Sequence, residues 1–595
     1  MQTRIFILFL MLIPFIGRGQ YSEMSAGLSN PGMEGGPTEF EIVDINMDGY
    51  LDIICVGDHG SPYINTSQHG ILIWQGNGNF GWTVIQTGNF GYGGVAVGDV
   101  NNDGYLDVGY GMHHNYSSTD FGDQVLEVAL GNGDMVSWTP WDDSLGMNGQ
   151  DWGMFGTDFA DINNDGWLDI GSISFGCCDG IHVHLNNQDG TWPQSFGFIG
   201  GNSDEIFQFG DINNDGFTDF AAAHQSGSVY FGDGSGNFVN GDMNLPSVSI
   251  IGRPGVSLGD VNNDGGMDLA FVNTGGGVEV WSFDTVLNQW GSLNGDLPVS
   301  GNYRITQIVD LNMDGFMDIA AFGNALLKTW LGNGNGNWTP YSENTTPASG
   351  YPKAFRAGGD VDRNGFPDLL IMSEEGSWIS YNNYIHLFKE NSPVTDLIVK
   401  PVYPRGHEVF REGSIWNIDW ITAVPGAMQP VIKIEFSATG PNGPWTILAD
   451  NLPNTNRYQC HVPVANSSQC YLKFTASGQS ASSSAITSQP FTIIGTTTAA
   501  AEKPPFSLSA RVVPNPSAEG AGLQFSLGKA ARVSAGVYNM LGDKVMEIPA
   551  HDRAAGHHSI PLYTGESISG KPAPGLYLVR LLAGDTSVEC KMLVK

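Results

Sequence analysis

The stretch Asp44-Ile45-Asn46-Met47-Asp48-Gly49-Tyr50-Leu51-Asp52 decides the reading of this chain, because it returns six more times. Copies occupy 99–107, 161–169, 211–219, 260–268, 310–318 and 360–368, and successive copies start 55, 62, 50, 49, 50 and 50 residues apart. A period near fifty residues marks an array of like units rather than one large core. Six copies read Asp-x-Asn-x-Asp-Gly-x-x-Asp. The last has Asp362 where the others have Asn, and Asn364 where they have Asp.

This spacing suits a hard cation. Calcium takes about six to eight oxygens. Side chains at loop positions 1, 3, 5 and 9 can converge, position 7 can lend its backbone carbonyl, and the Gly at position 6 allows the sharp turn. The candidate ligands are Asp44, Asn46, Asp48, Tyr50 and Asp52, then Asp99, Asn101, Asp103, Tyr105 and Asp107. They continue with Asp161, Asn163, Asp165, Trp167 and Asp169, and with Asp211, Asn213, Asp215, Phe217 and Asp219. Asp260, Asn262, Asp264, Gly266 and Asp268 follow, then Asp310, Asn312, Asp314, Phe316 and Asp318. Asp360, Asp362, Asn364, Phe366 and Asp368 complete the set. About seven structural Ca²⁺ are expected, held by local loops that leave little room for a substrate. An EF-hand needs a bidentate Glu at position 12 and flanking helices. Position 12 is Cys55, Tyr110, Ser172, Ala222, Phe271, Ala321 or Ile371, and the flanks are short apolar runs, so strand–loop–strand is predicted.

Each unit holds four strand-sized runs, in the second near 94–98, 105–110, 125–130 and 136–139. Gly-rich turns such as Gly76-Asn77-Gly78-Asn79-Phe80 often end the third run. Four strands per unit, seven times over, is the arithmetic of a β-propeller. The repeats over roughly 21–391 resemble the FG-GAP or VCBS family, the propeller type of the integrin α head. The resemblance implies a seven-bladed calcium-binding propeller. The seventh unit lacks a fourth strand, and residues 21–26 are expected to supply it beside 385–389, removing the open edges.

The wider composition agrees. The chain has 595 residues, 81 of them Gly, with 61 Asp+Glu against 25 Lys+Arg and a formal charge of −36. The loops alone hold 21 of those acids. Such acidity excludes nucleic acid or an anionic membrane surface as partner. Arg4, the apolar run 5–16 and Gly17-Arg18-Gly19 read as a signal peptide over 1–19. That run is too short to span a membrane, and no transmembrane segment follows. Six cysteines are few for an exported chain. Cys460 and Cys470 either close a short disulfide loop or stay reduced. Cys177 and Cys178 form a vicinal disulfide or two ordinary thiols. Cys55 and Cys590 sit in apolar strand patterns and read as core.

Beyond Pro393 the motif stops. Residues 395–494 alternate apolar and polar, as in Trp416-Asn417-Ile418-Asp419-Trp420, and read as an immunoglobulin- or fibronectin-like β-sandwich with Trp420 and Trp445 in its core. Residues 495–506 are a small, polar linker. Residues 507–595 read as a third, smaller β-sandwich. Val513-Pro514-Asn515-Pro516-Ser517, Tyr538-Asn539-Met540-Leu541-Gly542, Pro574-Gly575-Leu576-Tyr577 and the terminal Lys591-Met592-Leu593-Val594-Lys595 resemble the C-terminal sorting domain of type IX secretion substrates. That resemblance implies the type IX machinery as partner, passage across the outer membrane of a Bacteroidota-type bacterium, and a secreted or cell-surface location.

The metal loops lie on one end of the ring, by analogy with the integrin-type propeller the lower one. The second-to-third and fourth-to-first connections then meet at the upper end. Long aromatic connections there point to a binding face over units seven, one, two and three. Its candidates are His59, Tyr63, Tyr92, His113, His114, Tyr116, Trp152, Trp378 and Tyr381. Flat rings with polar neighbours suit a glycan or a surface protein, so an adhesion or binding module is expected rather than an enzyme. Two alternatives stand beside it. One is a polysaccharide lyase acting on a uronate-containing glycan, for which His113, His114, His224, Arg253 and Arg304 are available. The other is a structural surface protein. No Gly-x-Ser-x-Gly elbow occurs, His407-Glu408 lacks the second His of a zinc protease, and His182 and His184 read as core or rim.

Overall fold

The second and third strands of the first unit carry unbroken apolar runs. In Asp52–Gly57 and Gly70–Gly76 the side chains of Ile53, Ile54, Val56, Ile71, Ile73 and Trp74 are all sealed from solvent. Alternation is lost there because both faces of the sheet are covered. The computed structural model describes residues 20–31, 39–57, 70–87, 93–111, 124, 126–145, 154–174, 180–198, 203–247, 251–346, 351–377, 380–478, 481–495, 509–513, 520–527, 531–539, 544–553, 556–564, 572–584 and 586–595. The proposed signal segment 1–19 and the cysteine pair Cys177 and Cys178 lie outside them. The described chain is all β, and none of its residues forms a helix long and apolar enough to cross a membrane.

Among the described residues, seven four-stranded antiparallel sheets follow one another between Tyr21 and Glu390. The first is ordered Glu41–Val43, Asp52–Gly57, Gly70–Gly76, Trp82–Thr87. The next five begin at Val95–Gly98, Met154–Ala160, Ser203–Gly210, Ile251–Gly259 and Tyr303–Val309. The last is ordered Tyr351–Ala357, Leu369–Ser377, Ser380–Glu390 and then Tyr21–Glu23, with Tyr21 opposite Glu390 and Glu23 opposite Phe388.

One apolar cluster fills each space between consecutive sheets. Ile73 and Val108 share the first, Leu126 and Ile170 the second, and Ile173 and Phe220 the third. Val229 and Phe271, Val280 and Ile319, and Phe322 and Ile371 mark the next three. Trp74 and Leu370 join the last sheet to the first, so the row of sheets closes on itself. This arrangement is consistent with a β-propeller.

The first strands of the sheets surround a cavity of about 580 Å³. Polar side chains fasten these strands to one another. Arg356 pairs with Glu41 at 2.7 Å, Asp158 accepts the Phe209 N–H at 2.9 Å, and Gln208 accepts the Leu258 N–H at 2.9 Å. Burial pushes the Asp158 carboxyl up to about 6.

Residues 398–494 form two further sheets. One is ordered Ile398–Tyr403, Ile415–Ala423, Arg457–His461; the other runs Val409–Arg411, Phe491–Ile494, Ser467–Gly478, Val431–Ser437, Thr446–Leu452. They enclose a core containing Trp416, Trp420, Phe474 and Phe491. Trp420 is buried and donates its indole N–H to Asn454 at 3.0 Å. Trp445 corrects its expectation: it is half-buried, with the Lys473 ammonium 5.3 Å over its ring. Cys460 and Cys470 are both free thiols rather than a disulfide. Cys460 lies opposite Trp416 in one sheet and Cys470 opposite Phe491 in the other, so the two sides of the core hold them apart.

Residues 497–595 are a separate unit. Its strands form a three-stranded and a four-stranded sheet around Leu523, Phe525, Val537, Val579 and Leu581.

Candidate metal loops and binding face

All seven nine-residue loops join the first and second strands of their sheets and share one backbone course. Gly at position 6 has φ between 81° and 98° in every copy, where a Cβ would be strained. Position 4 is also left-handed, at Met47, Asn102, Asn164, Asn214, Asn263, Met313 and Arg363, with φ between 55° and 59°. The sequence reading missed position 4. Asn tolerates this conformation, and three of the Asn side chains bridge to the neighbouring loop. Asn102 donates to the Gly166 carbonyl, Asn214 to that of Asp264 and Asn263 to that of Gly315, each at 3.1 Å.

Within each loop the side chains wrap the backbone in the same way. Asp44 accepts the N–H groups of Asp48 and Gly49, and Asp48 accepts that of Tyr50. Asp52, buried at the start of the second strand, accepts the N–H of Ile45 and of Gly76 from the third strand. The pattern recurs through Asp99 and Asp107, Asp161 and Asp169, Asp211 and Asp219, and Asp310 and Asp318. Asp260 repeats it with Gly265, and Asp360 with Gly365. The position-7 aromatics have a packing role. A Cβ on Gly78, in the turn after the third strand, would lie 2.3 Å from the Tyr50 ring, and Gly234 faces Phe217 in the same way.

These carboxyls sit where charge is costly. Burial pushes Asp44 and Asp211 up to about 7, and Asp52, Asp107 and Asp318 up to about 8. Asp161 and Asp260 rise to about 6 for the same reason. In the last loop, Asp360, Asp362 and Asp368 each offer a carboxylate oxygen within 4.8 Å of the others, a donor set that suits a hard cation. Lys389 lies 3.2 Å from Asp362 there. An oxygen-rich, anionic cluster with raised proton affinity fits calcium chemistry.

The metal-loop end is covered. The 398–494 segment lies across it and touches the loops at their first Asp and at their position 4–6 corners. Gln459 exchanges two bonds with the Asp99 backbone, at 3.0 and 2.7 Å. Ile415 N–H donates to Asp161 at 2.9 Å. Asn214 donates to the His407 carbonyl and accepts the Val409 N–H. Arg411 stacks 3.5 Å from the Phe217 ring centroid and donates to the Asp215 carbonyl. Arg405 reaches Asp310 at 3.3 Å, and Lys400 donates to the Gly365 carbonyl at 2.9 Å. The sequence did hold a signal for this docking. In a chain of net −36, Lys400, Arg405 and Arg411 stand five and six residues apart.

Gly265 meets this segment most closely, since its Cβ would lie 2.4 Å from the His407 carbonyl oxygen. Gly315 has nearly the same φ, 98° against 97°, and open space around its Cβ. Gly315→Ala is expected to lose only the backbone term, about 1–3 kcal/mol. Gly265→Ala is expected to lose that and the docking contact, so its urea midpoint should fall further. Equal midpoints would deny that the contact matters.

The candidates for the binding face lie elsewhere. His59, Tyr63, Tyr92, His113, His114, Tyr116, Trp152 and Trp378 fall outside the described residues. Tyr381 is in the strand Ser380–Glu390, with its side chain outside them. His224, named for the lyase alternative, is buried, stacks on Phe198 at 5.6 Å and accepts the Ser226 N–H. Arg304 is exposed, and the Arg253 side chain is outside the described residues. His182 and His184 are buried with stacked rings 6.3 Å apart, and burial pushes His184 down to about 4.

The family comparison matches the FG-GAP-like repeat over residues 44–110, 211–271 and 310–371. The chain carries FG-GAP-like repeats. Each matched span opens on one metal loop and runs through the next, so the three spans take in every loop but the third. No curated protein matches. Among solved structures, an Agrocybe aegerita lectin described as recognising non-reducing terminal N-acetylglucosamine is 18% identical, covering 53% of this chain and 81% of its own, with a TM-score of 0.37. Saccharomyces cerevisiae Sqt1 is 10% identical over 58% of this chain and 83% of its own, at 0.33. Fibronectin(III)-like modules of Clostridium thermocellum CbhA are 17% identical over 33% of this chain and 94% of their own, at 0.12. Overlaps this loose transfer neither a ligand nor a blade arrangement to the FG-GAP-like repeats.

Proposed function

We propose that residues 20–392 are a seven-bladed, calcium-stabilised propeller that works as an exported binding module for a glycan or a surface protein. The first and ninth Asp of each loop, with their position 3 and 5 partners, would hold the ions. Calcium would supply the positive charge that these buried carboxyls otherwise take from protons. Residues 395–494 are read as an immunoglobulin- or fibronectin-like sandwich, and 507–595 as a type IX sorting domain that directs the chain to the cell surface or the medium.

The observation that carries the binding reading is the covered metal end. With the 398–494 segment across it, a ligand would meet the ring from the opposite end. The second-to-third and fourth-to-first connections would gather there, and all the candidate aromatics but Tyr381 fall in those connections by sequence. A glycan array probed with the mature protein, with and without calcium, tests this. Selective binding is expected, reduced at least tenfold by Trp378→Ala with Tyr116→Ala while the calcium-dependent melting temperature holds. Release of an unsaturated uronate product would favour a lyase, and neither signal would leave a structural role.

A further inference from the structure

The metal loops and the 398–494 segment are not merely adjacent. Two of the segment's donors end on carboxylates of the loops themselves, Ile415 N–H on Asp161 Oδ2 at 2.9 Å and Arg405 on Asp310 Oδ2 at 3.3 Å. Further contacts grip the left-handed corners. Asn214, at position 4, holds both the His407 carbonyl and the Val409 N–H, and Val424 N–H donates to the carbonyl of Arg363, the position 4 residue of the last loop. The position 1 carboxylate accepts the N–H groups of positions 5 and 6, which ties each corner to the convergence of the side chains at positions 1, 3 and 5. A metal ion favours that convergence, and like charges without a counter-ion oppose it.

We propose that the 398–494 segment is a calcium-dependent latch, seated on the ring when the loops hold metal and released when they lose it. The inference rests on the calcium reading above and adds a moving part to it. Linkage makes the effect reciprocal: if metal favours seating, the seated segment must raise the affinity for metal by the same factor. The device would let an exported protein present a ring-bound segment in calcium-rich surroundings and a tethered, mobile one elsewhere.

Hydrogen exchange on the full chain tests it, with bound calcium measured on the same samples. Chelation is expected to speed exchange at Val409, Ile415 and Val424 at least tenfold. Val431–Ser437, inside the segment's own sheet, should keep its protection. Unchanged protection at the three amides after metal loss overturns the latch and leaves the calcium reading standing. A chain that takes up no calcium overturns both. As a second measure, Gln459→Ala with Arg411→Ala should raise the calcium concentration at half-saturation at least threefold. These side chains touch loop backbone and a ring but no loop carboxylate, so an unchanged midpoint would also overturn the proposal.

Discussion

Chelation of the calcium-loaded protein is expected to lower its melting temperature, and far more at pH 8 than at pH 5. The sign follows from the buried carboxyls. In the metal-free fold Asp44, Asp52, Asp107, Asp211 and Asp318 titrate near 7 or 8 rather than near 3.8, because burial penalises their charged forms. The folded chain therefore holds more protons than the unfolded one between about pH 4 and pH 8. The contribution of these groups to metal-free stability is full below that window and falls as pH rises through it. Calcium needs the ionised carboxylates, so the loaded form has the opposite preference. A site at a hundredfold excess of metal over its dissociation constant adds about 2.7 kcal/mol, and several such sites act together. Coincident melting curves at pH 8 with and without chelator, with metal loss confirmed by elemental analysis, would exclude structural metal in the loops.

The second large effect is expected at the seam of the ring. Tyr21 is 2% exposed, packs among Ile305, Phe355, Leu369 and Phe388, and donates its hydroxyl to the Pro367 carbonyl at 3.2 Å. It serves the space between the sixth and last sheets and anchors the strand that completes the last one. Tyr21→Ala should cost about 3–5 kcal/mol, the range for deleting a buried aromatic ring. Tyr21→Phe should cost about 1 kcal/mol, the worth of one hydrogen bond. Urea denaturation of the three proteins measures both. A Tyr21→Ala loss no larger than that of Tyr21→Phe would mean that the ring holds without this strand.

Local chemistry made much of this legible. The Gly at position 6 states its own backbone angle, and the Asp at position 9 marks where the second strand starts. Trp74 and Leu370 could be read as core from their apolar runs, although the runs do not say that the two meet. What the sequence kept back depends on surfaces rather than periods. Cys460 and Cys470 are ten residues apart and suggested a short loop, yet their strands fall in different sheets. Trp445 has the composition of a core residue but lies half-exposed beneath Lys473. The docking of 398–494 was signalled only by its spaced cations Lys400, Arg405 and Arg411; Gln459, Ile415 and Asn214, which complete it, are unrelated residues that no spacing rule links. Position 4 was overlooked because Met47, Met313 and Arg363 hide a conformation that Asn declares in the other loops.

Closing the ring through Tyr21–Glu23 also fixes an order of assembly. Gln20 and Glu390, whose side chains are bonded, stand 370 residues apart. The first six sheets can each form from one contiguous stretch of chain as it emerges, by contacts that are short in sequence. The last cannot, because its outer strand is the earliest to emerge and its neighbour nearly the last. Until that neighbour arrives, the N-terminal strand has no partner and the sixth sheet presents an unfinished apolar face. That final pairing joins residues some 370 positions apart, the kind of contact that forms slowly, so closing the ring is expected to be the slow step of folding.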